Sequence, residues 1–110
     1  MSSETKYATE AIEIVTFRLV RGASFAQFVA ANRDVDVWLM QQPGFKSRRI
    51  AEQAGRHVID LLLWHSAAAA RAAMPKLMHD LVDSPVHGMI DQESVSWTVA
   101  EVAHTNGQCT

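Results

Sequence analysis

The segment from Pro43 to Ser66 limits the possible folds of this chain more than any other part of the sequence. Pro43-Gly44 ends a helical pattern, because proline cannot continue the helical hydrogen bonds and glycine tolerates a reversal of the backbone. Two strand patterns follow, Phe45 to Glu52 and His57 to His65, and the turn between them is short. Ser66 then begins another helix as its N-cap. The segment therefore predicts an antiparallel β-hairpin between two helices.

Strand and helix patterns on both sides of this hairpin complete the predicted fold. Ala11 to Val20 and Ser94 to Val102 are rich in β-branched residues and alternate as strands do. Helices are predicted from Ser24 to Gln41 and from Ser66 to about Asp80, and Pro75 predicts a kink or a break in the second. The resulting order, β-α-β-β-α-β, is that of the ferredoxin-like α+β fold, a four-stranded antiparallel sheet with both helices on one face.

The composition is that of one globular domain, with a core from about residue 11 to residue 102 of the 110. The formal net charge is −2 with acids and bases interspersed, which argues against the clustered basic surface of a nucleic-acid-binding protein. Cys109 is the only cysteine, so an intrachain disulfide is impossible and a reducing, cytoplasmic location is expected. No apolar stretch is long enough to cross a bilayer, and we expect no membrane partner.

The third predicted strand also indicates how the chain assembles. His57 to Trp64 is apolar almost throughout, a pattern typical of a strand buried on both faces. Two helices cover only one face of a sheet, so a second apolar face would be exposed in a monomer. We therefore predict a homodimer in which two sheets pack face to face.

Asp60 interrupts this apolar strand and is the first candidate for a functional residue. One hypothesis makes it a catalytic carboxylate in a pocket, where loss of hydration helps it to accept a proton from an acidic carbon or a phenol. The alternative makes it a buried structural acid paired with Arg18, Arg48 or Arg49 from a neighbouring strand. Since Arg48 and Arg49 point to opposite faces of their strand, we expect one to be solvated and the other to meet a carboxylate inside.

Asn32 and Asp36 are polar residues on the apolar face of the first helix. They are four residues apart and therefore share a face, within an apolar stripe that also contains Phe28. One interpretation is a partly hydrated pocket between this helix and the sheet, in which Asp36 and Phe28 contact a ligand. The other is a kinked helix that turns the two polar residues outward.

Three further residues are candidates for such a pocket. Trp64, at the end of the third strand, either stacks on a flat aromatic ligand or closes the core at the edge of the sheet. His79 and His87 either reach the mouth of the pocket and bind the ligand or lie on the surface. The histidines show no metal-ligand spacing and the chain has no glycine-rich phosphate loop, so we expect neither a metal nor another cofactor.

Four short motifs resemble those of the dimeric α/β-barrel superfamily, and within it the antibiotic-biosynthesis-monooxygenase type of domain. The motifs are Pro43-Gly44-Phe45, the turn at Gly55, Trp64-His65-Ser66 and Met89-Ile90-Asp91, and the resemblance extends from about Ala11 to Val102. The superfamily includes cofactor-free monooxygenases, haem-degrading enzymes, isomerases and members with no assigned activity. The resemblance to the superfamily therefore implies the fold but not one particular reaction.

The cofactor-free members that oxidise polycyclic anthrones to quinones carry an Asn-x-x-x-Trp pattern on the third strand, to which Asp60 and Trp64 correspond here. A tyrosine of those enzymes falls on Ala70 and an arginine falls near Ser84. The resemblance implies a cofactor-independent monooxygenase or related acid-base enzyme that acts on a flat, hydrophobic, phenolic or quinone-like molecule. Asp60 would be the general base, Trp64 a stacking wall and Asn32 an orienting donor.

The alternative function is a non-catalytic dimeric module that binds a hydrophobic metabolite or a protein. The two hypotheses differ in what they predict around Asp60. The enzyme requires a cavity beside Asp60 and Trp64, whereas the non-catalytic module predicts that neighbouring side chains satisfy Asp60 and Asn32 and that no cavity lies beside them.

Overall fold

The computed structural model describes residues 9–107, which form one four-stranded antiparallel sheet and four helices. The strands are β1 (Ala11–Leu19), β2 (Phe45–Gln53), β3 (His57–Trp64) and β4 (Ile90–Glu101), and their order in the sheet is β2-β3-β1-β4. The helices are α1 (Phe25–Ala31), α2 (Arg33–Met40), α3 (Ala67–Asp80) and α4 (Val86–Met89). The ferredoxin-like prediction is confirmed.

The hydrophobic core lies between the helices and one face of the sheet. The side chains of β3 alternate in burial, and the buried set includes Val58, Leu62 and Trp64. These residues pack in one cluster with Phe28 of α1 and Leu39 of α2. The buried face of a strand thus follows from the period of two that the sequence shows.

The first predicted helix is two helices, and Asn32 lies between them as the last cap of α1 and the first cap of α2. The Asn32 side chain explains the interruption, because its Nδ2 donates to the Phe28 carbonyl at 2.7 Å, the acceptor that a regular helix would offer to the Asn32 backbone. The Asn32 backbone N–H instead donates to the Val29 carbonyl at 3.1 Å. The prediction of one continuous helix from Ser24 to Gln41 is therefore wrong. The kinked alternative is right about the interruption and about Asp36, which is turned outward, but Asn32 stays buried.

Two other boundaries differ from the sequence-based prediction. Helix α3 continues from Ala67 to Asp80 without a break at Pro75. The carbonyl that loses its helical donor to Pro75 is that of Arg71, which is exposed, so water can bond to it. Strand β4 begins at Ile90 and not at Ser94, because Ile90 and Asp91 already pair with β1. The Ser94 hydroxyl accepts the Arg18 backbone N–H at 2.8 Å where the β1–β4 register shifts.

The outer face of the sheet carries the remaining strand side chains. Its central residues are apolar and only partly buried within the chain: Ile12, Ile14, Ile59, Leu61 and Leu63. Among residues 9–107, no helix is both long and apolar enough to cross a membrane.

Candidate functional site

A cavity of about 320 Å³ lies between the helices and the inner face of the sheet. Its walls are mainly apolar, and they include Val15, Phe17, Phe28, Leu62, Trp64 and Leu77. A small set of polar side chains faces the same space: Glu13, Asn32, Arg48, Asp60 and His87. The volume is at the lower end of the range of roughly 300–1,000 Å³ typical of small-molecule sites, and an apolar pocket with a few convergent polar groups is their usual composition.

Asp60 forms a two-bond ion pair with Arg48 of the neighbouring strand. Arg48 Nε donates to Oδ1 at 2.9 Å and Nη2 donates to Oδ2 at 2.7 Å. The pairing register explains the choice of arginine, since Arg48 lies opposite Leu62 on the inner face and Arg49 lies opposite Leu61 on the outer face. The structure therefore bears out the prediction that Asp60 is a buried acid paired with an arginine.

Asn32 and Asp36 complete the shell around the Arg48 guanidinium. Nη2 donates to Asn32 Oδ1 at 2.8 Å and Nη1 donates to Asp36 Oδ1 at 2.9 Å. Four of the five guanidinium N–H groups are thus bonded within the protein. Burial disfavours the charged guanidinium, but the bonds and charges of Asp60 and Asp36 outweigh it and raise the pKa of Arg48 above its ordinary value. Arg48 is a fixed cation.

The second buried acid of the cavity, Glu13, was not singled out by the sequence analysis. It lies on the inner face of β1 and is only 6% exposed. Its Oε1 accepts the indole N–H of Trp64 at 2.9 Å, and its Oε2 accepts the indole N–H of Trp97 at 2.7 Å. The sequence did contain a signal, because Glu13 alternates in phase with Val15, Phe17 and Leu19, and an acid on the apolar face of a strand is as anomalous as Asp60.

Burial raises the pKa of the Glu13 carboxyl above its ordinary value of 4.5. The two indole hydrogen bonds act in the opposite direction, since they stabilise the ionised form, and the bond from Trp97 has the larger effect of the two. The negative charge of Asp60 adds to the increase, whereas the positive charge of Arg48 reduces it. Loss of hydration outweighs the hydrogen bonds, and Glu13 holds its proton more tightly than an exposed glutamate does.

The structure brings five of the seven predicted site residues to the cavity: Phe28, Asn32, Asp60, Trp64 and His87. Asn32 is in place, but its carbonyl oxygen bonds to Arg48 and its amide nitrogen to the backbone of Phe28. His87 Nε2 forms a 2.9 Å hydrogen bond with the Leu81 carbonyl. Trp64 meets Phe45 edge-on, with ring centroids 5.4 Å apart, so one part of the indole packs in the core.

The other two predicted site residues, Asp36 and His79, do not line the cavity, and their predicted placement is corrected. The interruption of the helix at Asn32 turns Asp36 outward, where its side chain is 60% exposed and binds Arg48 from the solvent side. His79 lies on the outer side of α3 with its side chain 89% exposed, and its Nδ1 is 3.1 Å from Asp80 Oδ1. Within residues 9–107, no group of three or more histidine, cysteine, aspartate or glutamate side chains is placed to hold a metal ion.

Comparison with known proteins shows which solved structures share this architecture. No protein-family model matches the sequence, and no curated protein matches it. Three solved structures illustrate what the fold is similar to, and each covers 91–92% of this chain. The cofactor-independent oxygenase SnoaB from Streptomyces nogalater is matched over 100% of its own chain, with 14% identity and a TM-score of 0.69.

The other two structures carry related descriptions. The monooxygenase ActVA-Orf6 from Streptomyces coelicolor, in complex with nanaomycin D, is matched over 94% of its chain with 20% identity and a TM-score of 0.63. A candidate antibiotic biosynthesis monooxygenase from Nitrosomonas europaea is matched over 96% of its chain with 18% identity and a TM-score of 0.69. The chain therefore has the ferredoxin-like fold of the antibiotic-biosynthesis-monooxygenase-like structures. Its chemistry has to be argued from its own residues.

Proposed function

We propose that this protein is a cofactor-independent monooxygenase, or a related acid-base enzyme, for a flat, hydrophobic, phenolic or quinone-like molecule. The observation that carries the proposal is the apolar cavity of about 320 Å³, into which carboxyl groups project from neighbouring strands. An apolar pocket favours a flat hydrophobic molecule, and a buried carboxyl supplies the proton acceptor that oxidation without a cofactor needs. The shared fold with oxygenases of similar size adds support.

The chemistry can be written for an anthrone, a three-ring ketone with an acidic methylene group. A carboxylate removes one methylene proton, and the resulting carbanion donates electrons to dioxygen, so that a carbon–oxygen bond forms. The peroxide anion takes the proton back and becomes a hydroperoxide. The remaining hydrogen then leaves the carbon as a proton while the oxygen–oxygen bond breaks, so that water is released and the carbon becomes a second carbonyl. Anthrone and dioxygen give anthraquinone and water, and dioxygen is the only oxidant required.

The residues of the cavity have distinct parts in this proposal. Trp64 and Phe28 form apolar walls beside the rings of the substrate. Asn32 and Asp60 hold the Arg48 guanidinium, whose positive charge stabilises the oxyanion that develops when the substrate loses its proton. This proposal replaces the role of Asn32 as an orienting donor, because its amide is already bonded within the protein.

One observation favours the non-catalytic module as a second candidate. Asp60 and Asn32 are both satisfied by neighbouring side chains, as that hypothesis predicts. The cavity beside them is what the enzyme hypothesis predicts. The cavity contradicts the other part of the non-catalytic hypothesis, which predicted none. The second candidate is therefore a module that binds a hydrophobic molecule in this same cavity without reacting with it.

We also propose that the protein is a cytoplasmic homodimer. The support for the dimer is the apolar outer face of the sheet, centred on Ile14, Ile59 and Leu61, which the helices of the same chain leave uncovered. A second copy that packs sheet against sheet would remove this surface from water. The location rests on the single cysteine of the sequence.

Dithranol, a dihydroxylated anthrone, is a suitable probe for the reaction. The purified protein is mixed with dithranol in aerated buffer, with its oxidation in buffer alone as the control. Dioxygen uptake is recorded with an electrode, and the quinone is recorded by absorbance. The enzyme hypothesis predicts one dioxygen consumed per quinone formed, above the rate in buffer. A rise in Tm on addition of dithranol without dioxygen uptake supports the non-catalytic module. If dithranol causes neither dioxygen uptake nor a rise in Tm, both functions are contradicted.

A further inference from the structure

We propose that Glu13 is the residue that receives the acidic hydrogen of the ligand, and that Asp60 positions Arg48 and does not act as the base. The proton-transfer part of this inference rests on the proposed function. The binding part, in which the cavity selects ligands that carry a hydrogen-bond donor and rejects carboxylates, rests on the cavity alone. The sequence pattern singled out Asp60 as the base, but the two acids differ in their hydrogen-bond partners.

Asp60 is poorly placed to accept a proton. Both of its oxygens accept bonds from the Arg48 guanidinium, at 2.9 and 2.7 Å. A proton on Asp60 would neutralise the partner of a buried cation and break at least one of these bonds, which is costly where little water can replace them. Asp60 therefore fixes the position of Arg48, and its own charge is already compensated.

Glu13 has the opposite surroundings. Each of its oxygens accepts one indole N–H, at 2.9 Å from Trp64 and at 2.7 Å from Trp97. A carboxylate has about four lone-pair positions, so these two neutral donors leave acceptor capacity toward the cavity that Glu13 lines. The indoles come from β3 and β4 on either side of β1, and they fix the carboxyl group from both neighbouring strands.

Within residues 9–107, no lysine, arginine or histidine forms a salt bridge with Glu13. The charged and titratable groups that share its cavity are Asp60 of β3, Arg48 of β2 and His87 of α4. The bonded groups of Arg48 face Asn32, Asp36 and Asp60, and the Nε2 of His87 is bonded to the Leu81 carbonyl. Glu13 is the buried acid of the cavity without a cation.

This charge pattern defines the class of ligand. A phenol, enol or protonated amine would give Glu13 the donor that it lacks, and a charge-assisted hydrogen bond in an apolar site is strong. A ligand carboxylate would meet an uncompensated negative charge and be repelled. Because burial raises the pKa of Glu13, its affinity for a proton is also closer to what a general base at neutral pH requires.

The binding test compares two probes of nearly the same shape, β-naphthol and β-naphthoate, in the wild-type protein and in Glu13→Gln. Isothermal titration is carried out above the pH at which the Trp64 and Trp97 indole resonances change, where Glu13 is ionised. It should show that the substitution weakens β-naphthol binding by about tenfold or more, since a charged acceptor is lost. The same substitution should strengthen β-naphthoate binding, since the repelling charge is lost. A purely structural Glu13 would change both affinities in the same direction or change neither, and either result overturns the inference.

Trp97→Phe is the companion variant, because it keeps the carboxyl group and removes the donor that most lowers its pKa. In the wild type, the affinity for β-naphthoate should decline as the pH rises and Glu13 ionises. The midpoint of this decline should lie at higher pH in Trp97→Phe, and the decline should be absent in Glu13→Gln. If the midpoint is the same in Trp97→Phe as in the wild type, the decline in β-naphthoate affinity is not caused by ionisation of Glu13.

The three indole N–H resonances of the protein give a readout without any ligand. Those of Trp64 and Trp97 should titrate together with the Glu13 carboxyl and lose this transition in Glu13→Gln. The indole N–H of Trp38 donates instead to Asp80 at 3.0 Å. This bond, with a further bond from His79, lowers the pKa of Asp80. The Trp38 resonance should therefore change at lower pH than those of Trp64 and Trp97. Separate transitions for Trp64 and Trp97 contradict the inference.

These outcomes are distinguishable from those of the dithranol experiment. If Glu13→Gln changes the affinities for β-naphthol and β-naphthoate in opposite directions while the protein takes up no dioxygen, Glu13 is the hydrogen-bond acceptor for the ligand of a non-catalytic module. Dioxygen uptake with kcat unchanged in Glu13→Gln would support the enzyme and reject Glu13 as its base.

Discussion

The guanidinium of Arg48 and the carboxylate of Asp60 form two parallel hydrogen bonds, with Nε 2.9 Å from Oδ1 and Nη2 2.7 Å from Oδ2. Their side chains are 9% and 10% exposed, so the pair is nearly removed from solvent. A buried pair adds little net stability, since the loss of hydration offsets the attraction, but each member depends on the other. The pair joins β2 to β3 and, through Asn32, joins both strands to the helical layer.

Replacing Arg48 with methionine should therefore lower the free energy of unfolding by about 3–5 kcal/mol, because Asp60 is left buried without a partner. The matched control is Arg71→Met, at an exposed position of helix α3, which should change it by no more than about 0.5 kcal/mol. Urea denaturation of both variants provides the measurement. Equal effects at the two positions would show that the Arg48–Asp60 bonds are not formed in solution.

Gly44 allows the close approach of the chain before β2 to helix α3. Its φ is +83°, and a Cβ at this position would lie 2.8 Å from the Cβ of Ala69. Gly22 has a similar φ of +91° but no atom within 4 Å of such a Cβ. Gly22→Ala should therefore cost only the backbone strain, about 1–2 kcal/mol, whereas Gly44→Ala should cost a further ~1–3 kcal/mol for the clash. Thermal denaturation that shows the same loss for both variants would contradict this difference.

The raised pKa of Glu13 links the stability of the fold to pH. Between the unfolded-state pKa, near 4.5, and the higher folded-state pKa, the folded protein binds more protons at this site than the unfolded chain does. The contribution of Glu13 to the free energy of unfolding is therefore largest below pH 4.5 and is lost as the pH rises through the folded-state pKa.

The measurement is urea denaturation of the wild type and of Glu13→Gln across this range of pH. The stability of the wild type relative to the variant should fall as the pH rises, by about 1.4 kcal/mol for each unit by which the pKa is raised. A difference that stays constant, or that increases with pH, would show that the carboxyl is not held in its protonated form by burial.

The outer face of the sheet should control self-association. Leu61 points to this face from the central strand β3, so Leu61→Lys should convert the proposed dimer into a monomer by placing a charge in the interface. Val37→Lys makes a comparable change on helix α2, where Val37 is 62% exposed, and should leave the assembly unchanged. Sedimentation of the three proteins tests the idea, and a dimeric Leu61→Lys would place the interface elsewhere.

The sequence predicted the fold well because the fold depends on local signals. Alternation along β3, the proline and glycine after Gln42 and the cap at Ser66 each act over a few residues. The boundaries that were predicted wrongly have two different causes. The Asn32 side chain bonds to the Phe28 carbonyl and divides the first helix, which is a local competition. Strand β4 begins earlier because Ile90 and Asp91 pair with β1, which is distant in sequence.

The functional assignment depends instead on which side chains meet across the sheet. The sequence by itself determined that Asp60 interrupts an apolar strand, and it determined the alternation that sends Arg48 and Arg49 to opposite faces. Only the tertiary structure decided that Arg48 is the partner of Asp60 and that Glu13 receives two indole donors and no cation. The reason is physical, since the behaviour of a buried carboxyl is set by the charges and donors around it, and these come from residues distant in sequence that only the register of the strands brings together.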